Sequence, residues 1–171
     1  MSRPSFERTE QGKESRMPNE RFDDQVIFQV AFVTDDIEKT KKWFADMFSM
    51  KVPETIVTAP RSESQTEVNG APSDARCKLA FFEFGNVTVE LIEPDEKPSC
   101  WRDLLERKGP GFHHFAFKIK GMKDKIAAFE KDGYPLVQRG EFTGGRYAYL
   151  DTEKQYGALI ELLEFDKELT A

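Results

Sequence analysis

The sequence predicts an α+β fold of two βαβββ modules in one chain, and three observations point there. Apolar periodicity gives the same element order twice, over about 25–95 and again over about 111–165. Two strand segments also recur in letters. Gln29-Val30-Ala31-Phe32 answers to His114-Phe115-Ala116-Phe117, and Val89-Glu90-Leu91-Ile92-Glu93 answers to Ile160-Glu161-Leu162-Leu163-Glu164. The separation from first to last strand is 61 residues in the first half (29 to 90) and 47 in the second (114 to 161), and the surplus coincides with a polar stretch at 58–75. Matches in the same order at equivalent element positions are the mark of a duplication.

Residues 1–24 are dense in Arg, Glu, Lys, Ser and Asn, with too few apolar side chains to offset ordering entropy, so a flexible tail is expected there. The run from Val26 to Val33 is β-branched and aromatic, as a largely buried strand should be. Asp35 or Asp36 can cap a following helix on which Ile37, Thr40, Lys41, Phe44 and Phe48 fall near one face. A strand is expected over 51–57, then a polar, turn-rich surface insertion or mobile loop from Pro60 to Asp74. Strands over 78–84 and 87–92 are predicted to join at Gly85-Asn86. Residues 98–108 read as a helical linker, with Ser99 as N-cap and Gly109-Pro110-Gly111 as the stop. The second module is then a strand over 112–119, a helix over 122–131, and strands at about 134–139, 145–150 and 157–164. The ordered domain is expected over 25–165.

Composition narrows the partners. The 171-residue chain sets 25 Lys and Arg against 31 Asp and Glu, a net charge of −6, which repels phosphate backbones and anionic lipid. A nucleic-acid partner is not expected. Cys77 and Cys100 stand in different segments without CxxC spacing and are read as reduced thiols of a cytoplasmic protein. No apolar run reaches the roughly 18 residues that span a bilayer, and the N-terminus lacks a signal-peptide hydrophobic stretch.

Equivalent positions in fused modules face each other across their axis, so the matched polar residues should converge: Gln29 and His114 on the first strands, Glu90 and Glu161 on the last. Each lies in an otherwise apolar strand, where an unpaired carboxylate costs several kcal/mol or becomes protonated. A shared cation resolves that cost. Two carboxylates, one imidazole and one amide oxygen suit a five- or six-coordinate divalent ion, with zinc, cobalt, nickel and manganese all compatible. Singly each residue has a plainer reading: an edge Gln that bonds backbone, a core His, a strand whose Glu side chains face water. Their joint occurrence at four related places is what favours a metal site. His113, one residue from His114, is expected on the opposite face of its strand as a structural residue.

Phe28-Gln29-Val30-Ala31-Phe32, Asp35-Asp36-Ile37-Glu38-Lys39, Val89-Glu90-Leu91-Ile92-Glu93-Pro94, Gly111-Phe112-His113-His114-Phe115-Ala116-Phe117 and Ala158-Leu159-Ile160-Glu161-Leu162, in this order, resemble the vicinal oxygen chelate (glyoxalase/bleomycin resistance/dioxygenase) superfamily over residues 25–165. The resemblance implies an open, cup-shaped mixed sheet around one divalent ion. From Glu90 through His114 the chain is most similar to methylmalonyl-CoA epimerase. Lactoylglutathione lyase (glyoxalase I) has the same ligand types in the same order, but Val33, Pro94 and Pro110 stand where it holds glutathione with Arg and Asn. A non-catalytic small-molecule binding protein of the same fold is the remaining alternative, disfavoured by retention of Glu90, His114 and Glu161.

The leading reading is therefore a metal-dependent isomerase that abstracts a proton next to a carbonyl through a metal-bound enolate, acting on an acyl-CoA thioester or related carbonyl compound. The resemblance implies that Glu161 both ligates the metal and moves the proton. It places a second carboxylate base near Asp74, with Glu67 a weaker candidate, and leaves adjacent Arg76 to meet a substrate carboxylate or phosphate. Arg102, Arg139 and Arg146 are further basic groups available to a CoA phosphate. A homodimer is expected.

Overall fold

The computed structural model describes residues 21–23 and 25–167; most of the expected tail over 1–24 lies outside the described residues. The first module runs β1 (Gln29–Val33), α1 (Ile37–Phe48), β2 (Ile56–Val57), α2 (Arg61–Ser64), β3 (Glu67–Val68), β4 (Ala71–Pro72), β5 (Cys77–Phe84) and β6 (Val87–Pro94). After α3 (Cys100–Lys108) the second runs β7 (Gly111–Lys118), α4 (Met122–Lys131), β8 (Leu136–Phe142), β9 (Gly145–Leu150), α5 (Glu153–Tyr156) and β10 (Leu159–Phe165). These strands make one mixed sheet in the order β2-β5-β6-β1-β7-β10-β9-β8-β3-β4, curled into an open half-barrel. The modules meet where β1 and β7 pair antiparallel, and each first strand has its module's last strand parallel beside it, β6 by β1 and β10 by β7.

Asp36 caps α1, accepting the Lys39 N–H at 2.9 Å. From that start, Ile37, Phe44 and Ala45 cover the outer face of β5 and β6 against Ala80, Phe82, Val89 and Leu91. α4 does the same for β9 and β10, setting Met122 and Phe129 on Ala148, Leu150, Ile160 and Leu162. Phe22 joins that cluster, its ring centroid 4.4 Å from Phe117.

The linker helix lies inside the cup. Ser99 Oγ accepts the Arg102 N–H at 3.1 Å, and the capped helix lays Trp101 and Leu104 on Ala31, Val33, Ile92, Tyr149 and Leu159. Burying two such side chains contributes about 1.5–3 kcal/mol each. One end of the concave face is thereby filled by protein.

The stretch expected as a surface insertion or mobile loop is structured. After α2, β3 and β4 form a hairpin, and Glu67 and Val68 pair with Arg139 and Gln138 of β8. The first module thus lends its insertion to the far edge of the second. Asn69 and Gly70, at φ of 50° and 76°, supply the left-handed turn, so the polar composition reflects an exposed edge and not a lack of structure. The strand expected over 51–57 shortens to Ile56–Val57, after Pro53, which has no N–H to give a longer ladder. Cys77 and Cys100 are free thiols. Among the described residues, no helix is long and apolar enough to cross a membrane.

Candidate metal and catalytic site

β6, β1, β7 and β10 are neighbours in the sheet, and each gives one polar side chain to the concave face. Glu90 and His114 both pair with Ala31; Gln29 faces Thr88 and Ala116; Glu161 faces Ala116 and Tyr149. Cross-strand partners share a face, so the four point the same way. Gln29 and Glu90 are 6% exposed, Glu161 4% and His114 0%. The Gln29 Nε2–H donates to Glu90 Oε2 at 2.6 Å. His114 Nε2 lies 3.6 Å from Glu90 Oε2 and 3.1 Å from Glu161 Oε2. The four residues paired by the repeat are thus within contact of one another.

Among the described residues neither Glu90 nor Glu161 has a Lys or Arg ion pair, and His114 is the group of opposite type beside both. Burial, and then the charge of Glu161, push the Glu90 carboxyl well up, against the Gln29 hydrogen bond. Burial pushes Glu161 up to about 8, against a hydrogen bond from Tyr149, and pushes His114 down to about 3. Among the described residues His113 Nε2, His114 Nε2 and Glu161 Oε2 are buried without a hydrogen-bond partner.

Oxygen and imidazole donors of this kind, buried and short of compensating charge, fit a divalent ion chemically. The donors are nonetheless closed on one another. No three His, Cys, Asp or Glu side chains among the described residues are arranged to hold an ion as they stand. Holding one requires the carboxylates to part from His114, and Gln29 to turn its amide so that oxygen rather than nitrogen faces the site.

His113 departs from its expected place. The register of β1 on β7 shifts between Ala31, opposite His114, and Phe32, opposite Phe112, leaving His113 as the extra residue of a β-bulge. A bulge breaks the alternation of faces. His113 accordingly sits beside His114 on the inner side, Nδ1 to Nδ1 at 2.9 Å, with its ring edge-on to Tyr149 at a centroid distance of 5.3 Å. Tyr149, bonded through its hydroxyl to Trp101 Nε1 at 3.1 Å, is a second neighbour of the site that the sequence pattern did not single out.

The remaining sequence candidates are not gathered here. Glu90 pairs with Phe81, four residues or ~13 Å along β5 from Cys77, and exposed Asp74 lies beyond Cys77 on the other side. Asp74 and Glu67 instead line a separate cleft with Arg61 and Thr66. Arg76 donates through Nε to the Thr58 carbonyl at 2.7 Å. Arg102 is paired with Glu106, Arg139 with Glu67, and Arg146 with Glu164 and Asp166. A cleft of about 460 Å³ beside α3 is lined by His113 and Leu159, but by none of the four converging residues.

The sequence profile of the glyoxalase/bleomycin resistance protein/dioxygenase superfamily matches residues 28–149. The chain belongs to this superfamily. Its members commonly use a divalent metal ion. The chain is 32% identical over 94 residues to the uncharacterized protein YqjC of Bacillus subtilis (strain 168), covering 53% of this chain and 67% of that protein. Among solved structures it is similar to a hypothetical protein of Bacillus halodurans C-125, at 18% identity and a TM-score of 0.59 over 85% of this chain and 97% of that one. It is also similar to methylmalonyl-CoA epimerase of Mycobacterium tuberculosis, at 22% identity and a TM-score of 0.55 over 83% and 89%. The Streptomyces coelicolor epimerase in complex with 2-nitronate-propionyl-CoA gives 17% identity and a TM-score of 0.57 over 83% and 98%. At such identities these structures share the superfamily's fold.

Proposed function

We propose that the protein is a metal-dependent enzyme that removes a proton from carbon next to a carbonyl, with an acyl-CoA thioester or a related carbonyl compound as substrate. The observation that carries this reading is the convergence of Gln29, Glu90, His114 and Glu161 from four adjacent strands into one buried cluster with two carboxyls and, among the described residues, no Lys or Arg ion pair. These four residues would hold the ion, Gln29 through Oε1 and His114 through Nε2. A bound divalent ion supplies Lewis acidity towards a substrate oxygen, worth several kcal/mol of charge stabilisation.

The chain's own part is proton movement and desolvation. Glu161 Oε2 has no hydrogen bond to give up, and without an ion burial pushes its carboxyl up to about 8, so this is the carboxyl assigned to take and return the proton. Tyr149, the cross-strand partner of Glu161, works against that rise. Phe81 and Tyr149, cross-strand partners of Glu90 and Glu161, flank the cluster with aromatic surface. Entry of a substrate requires side chains over these nearly buried donors to move.

The epimerase-like form of the reading is favoured over a glutathione lyase by Val33 and Pro94, which are buried apolar positions and offer no charged contact to a glutathione carboxylate. Asp74 lines the separate cleft with Glu67 and Arg61, so in this reading one carboxylate, Glu161, is assigned to proton transfer. The test is metal analysis of the purified protein, followed by exchange of the α-proton of a methyl-branched acyl-CoA in deuterated water with Co2+, Ni2+, Mn2+ or Zn2+ present. Exchange with little turnover of the methylglyoxal–glutathione hemithioacetal is the expected result. Turnover of the hemithioacetal without exchange on acyl-CoA would replace the epimerase-like reading by the lyase; a protein that takes up no metal would remove both.

A further inference from the structure

The repeat that gathers the four donors also duplicates the surface around them. With Gln29 matched to His114 and Glu90 to Glu161, the residues of β1 and β6 beneath α3, Ala31, Val33 and Ile92, have counterparts in Ala116, Lys118 and Leu163 of β7 and β10. The other two residues beneath α3 have counterparts in the first module. Tyr149 is the cross-strand partner of Glu161 as Phe81 is of Glu90, and Leu159 precedes Glu161 by two positions as Thr88 precedes Glu90. Because β1 and β7 run antiparallel, with Val33 opposite Gly111 and Gln29 opposite Ala116, the two surfaces lie on opposite sides of the donors along the concave face.

The two ends differ in chemistry. At one, Trp101 and Leu104 are seated on apolar and aromatic side chains. At the other, Val33 is answered by Lys118 and Leu159 by Thr88, and among the described residues Phe81, Ala116 and Leu163 join none of the three apolar clusters. A helix like α3 seated there would bury an unpaired ammonium group, which is costly. Strand alternation from His114 through Ala116 sets Lys118 on the donors' side, and its pairing opposite Leu163 continues that register. Half-buried Lys118 holds Nζ 3.8 Å from the centroid of the Phe28 ring and 5.6 Å from that of Phe165. Among the described residues it has no carboxylate partner, whereas Arg102, Arg139 and Arg146 are all paired. Glu83, which faces Thr88, is engaged by the Thr88 hydroxyl at 2.8 Å.

We propose that Lys118 receives an anionic group of the substrate, a phosphate or a carboxylate remote from the reacting carbon, and so fixes which way the substrate lies across the four donors. The inference rests on the proposed function. Lys118 is four residues from His114 along β7, ~13 Å between Cα atoms, so the anion it meets is not the group held at the donors. α3 makes the opposite end an apolar wall, and the length of the substrate runs the other way. The two rings attract the ammonium group without neutralising it, which leaves its charge available to a ligand.

Lys118→Met keeps an apolar stem over Phe28 and removes the charge; Lys118→Arg keeps the charge. For α-proton exchange on a methyl-branched acyl-CoA, Lys118→Met is expected to raise KM about 10-fold, the lower end for a hydrogen bond to a charged group, with kcat little changed. Lys118→Arg should recover most of the loss. The same acyl group on pantetheine, which has no phosphate, tells the two anions apart. A difference between parent and Lys118→Met that disappears on this thioester assigns the contact to phosphate; one that returns when the pantetheine thioester carries a distal carboxylate assigns it to carboxylate. Equal KM for parent and variant on all three thioesters overturns the proposal. Calorimetric binding of CoA to the metal-free protein supplies a readout apart from activity. If the parent exchanges no α-proton yet binds CoA more tightly than Lys118→Met does, the proposed reaction fails and the anion contact stands. Absence of both exchange and any difference in CoA binding overturns the contact as well.

Discussion

Arg139 of β8 and Glu67 of β3 are joined side by side, with Nε and Nη2 of the arginine each 2.8 Å from Oε2 of the glutamate. The pair fastens the insertion of the first module to the edge of the second, alongside a ladder only two residues long. Arg139 is half exposed and the pair is open to solvent screening, so global stability should change little in Arg139→Ala. Local opening should change more. Hydrogen exchange of the Val68 amide and proteolysis within 61–72 are expected to accelerate several-fold in Arg139→Ala. Unaltered rates would show that α2 and the turn at Asn69-Gly70 hold the insertion without the ion pair.

The position of that insertion shows where sequence periodicity stops informing. Strands of two residues, β3 and β4, have no alternation to detect, and their polar letters match those of a loop because the edge they form faces water. The long central strands were legible because burial on both faces imposes apolar runs, and α1, α3 and α4 because caps and apolar stripes mark them. The convergence of Gln29, Glu90, His114 and Glu161 was legible through the repeat, since duplicated strands must meet about an axis. His113 was not. Its inward turn comes from a one-residue register shift that only the pairing of β1 with β7 reveals. Nor could the sequence show that α3 would lie within the cup, because Trp101 and Leu104 mark an apolar face without saying which surface it covers.

Trp101 and Tyr149 offer a test of that inner packing. Trp101→Phe removes the donor to the Tyr149 hydroxyl and part of the indole, and is expected to cost about 2–3 kcal/mol in urea unfolding. Tyr149→Phe is expected to cost about 1 kcal/mol, and the double variant less than the sum, with a coupling of about 0.5–1.5 kcal/mol. Strict additivity would mean that the bond contributes nothing beyond the two side chains' separate burial.

The C-terminal end of α3 is tied down by charge. Lys108 bonds Glu153, and Arg107 Nη2 is 2.9 Å from Glu153 Oε2. The Lys108 hydrogen bond leads in holding the Glu153 carboxyl below its usual range, with Arg107 adding to it. A carboxyl whose folded-state pKa is depressed gives stability that is present above its unfolded value and is lost as pH falls through the folded one. Glu153→Gln should therefore be less stable than the parent at pH 7, by under about 1 kcal/mol for a partly exposed group. The difference should close on acidification below the depressed value. A gap that persisted unchanged to strong acid would assign the effect to shape or helix capping at α5.

Glu161→Gln separates the two roles proposed for this residue from its role in packing. The substitution keeps size and a polar atom at Oε1 but removes a ligand charge and the group that accepts the proton, so α-proton exchange should fall at least ~100-fold. Metal binding should weaken as well. An excess of Co2+ at 100 times the dissociation constant stabilises a folded protein by about 2.7 kcal/mol, and thermal unfolding with and without the ion reads that increment directly. In the parent protein the increment should appear; in Glu161→Gln it should shrink or vanish at the same Co2+ concentration. Without metal the variant should be as stable as the parent or more so, because an amide in this buried place carries no charge to desolvate. A Glu161→Gln protein that kept both the Co2+ increment and the exchange rate would show that neither ion nor proton is handled at this carboxyl, and the search would move to the cleft beneath α3.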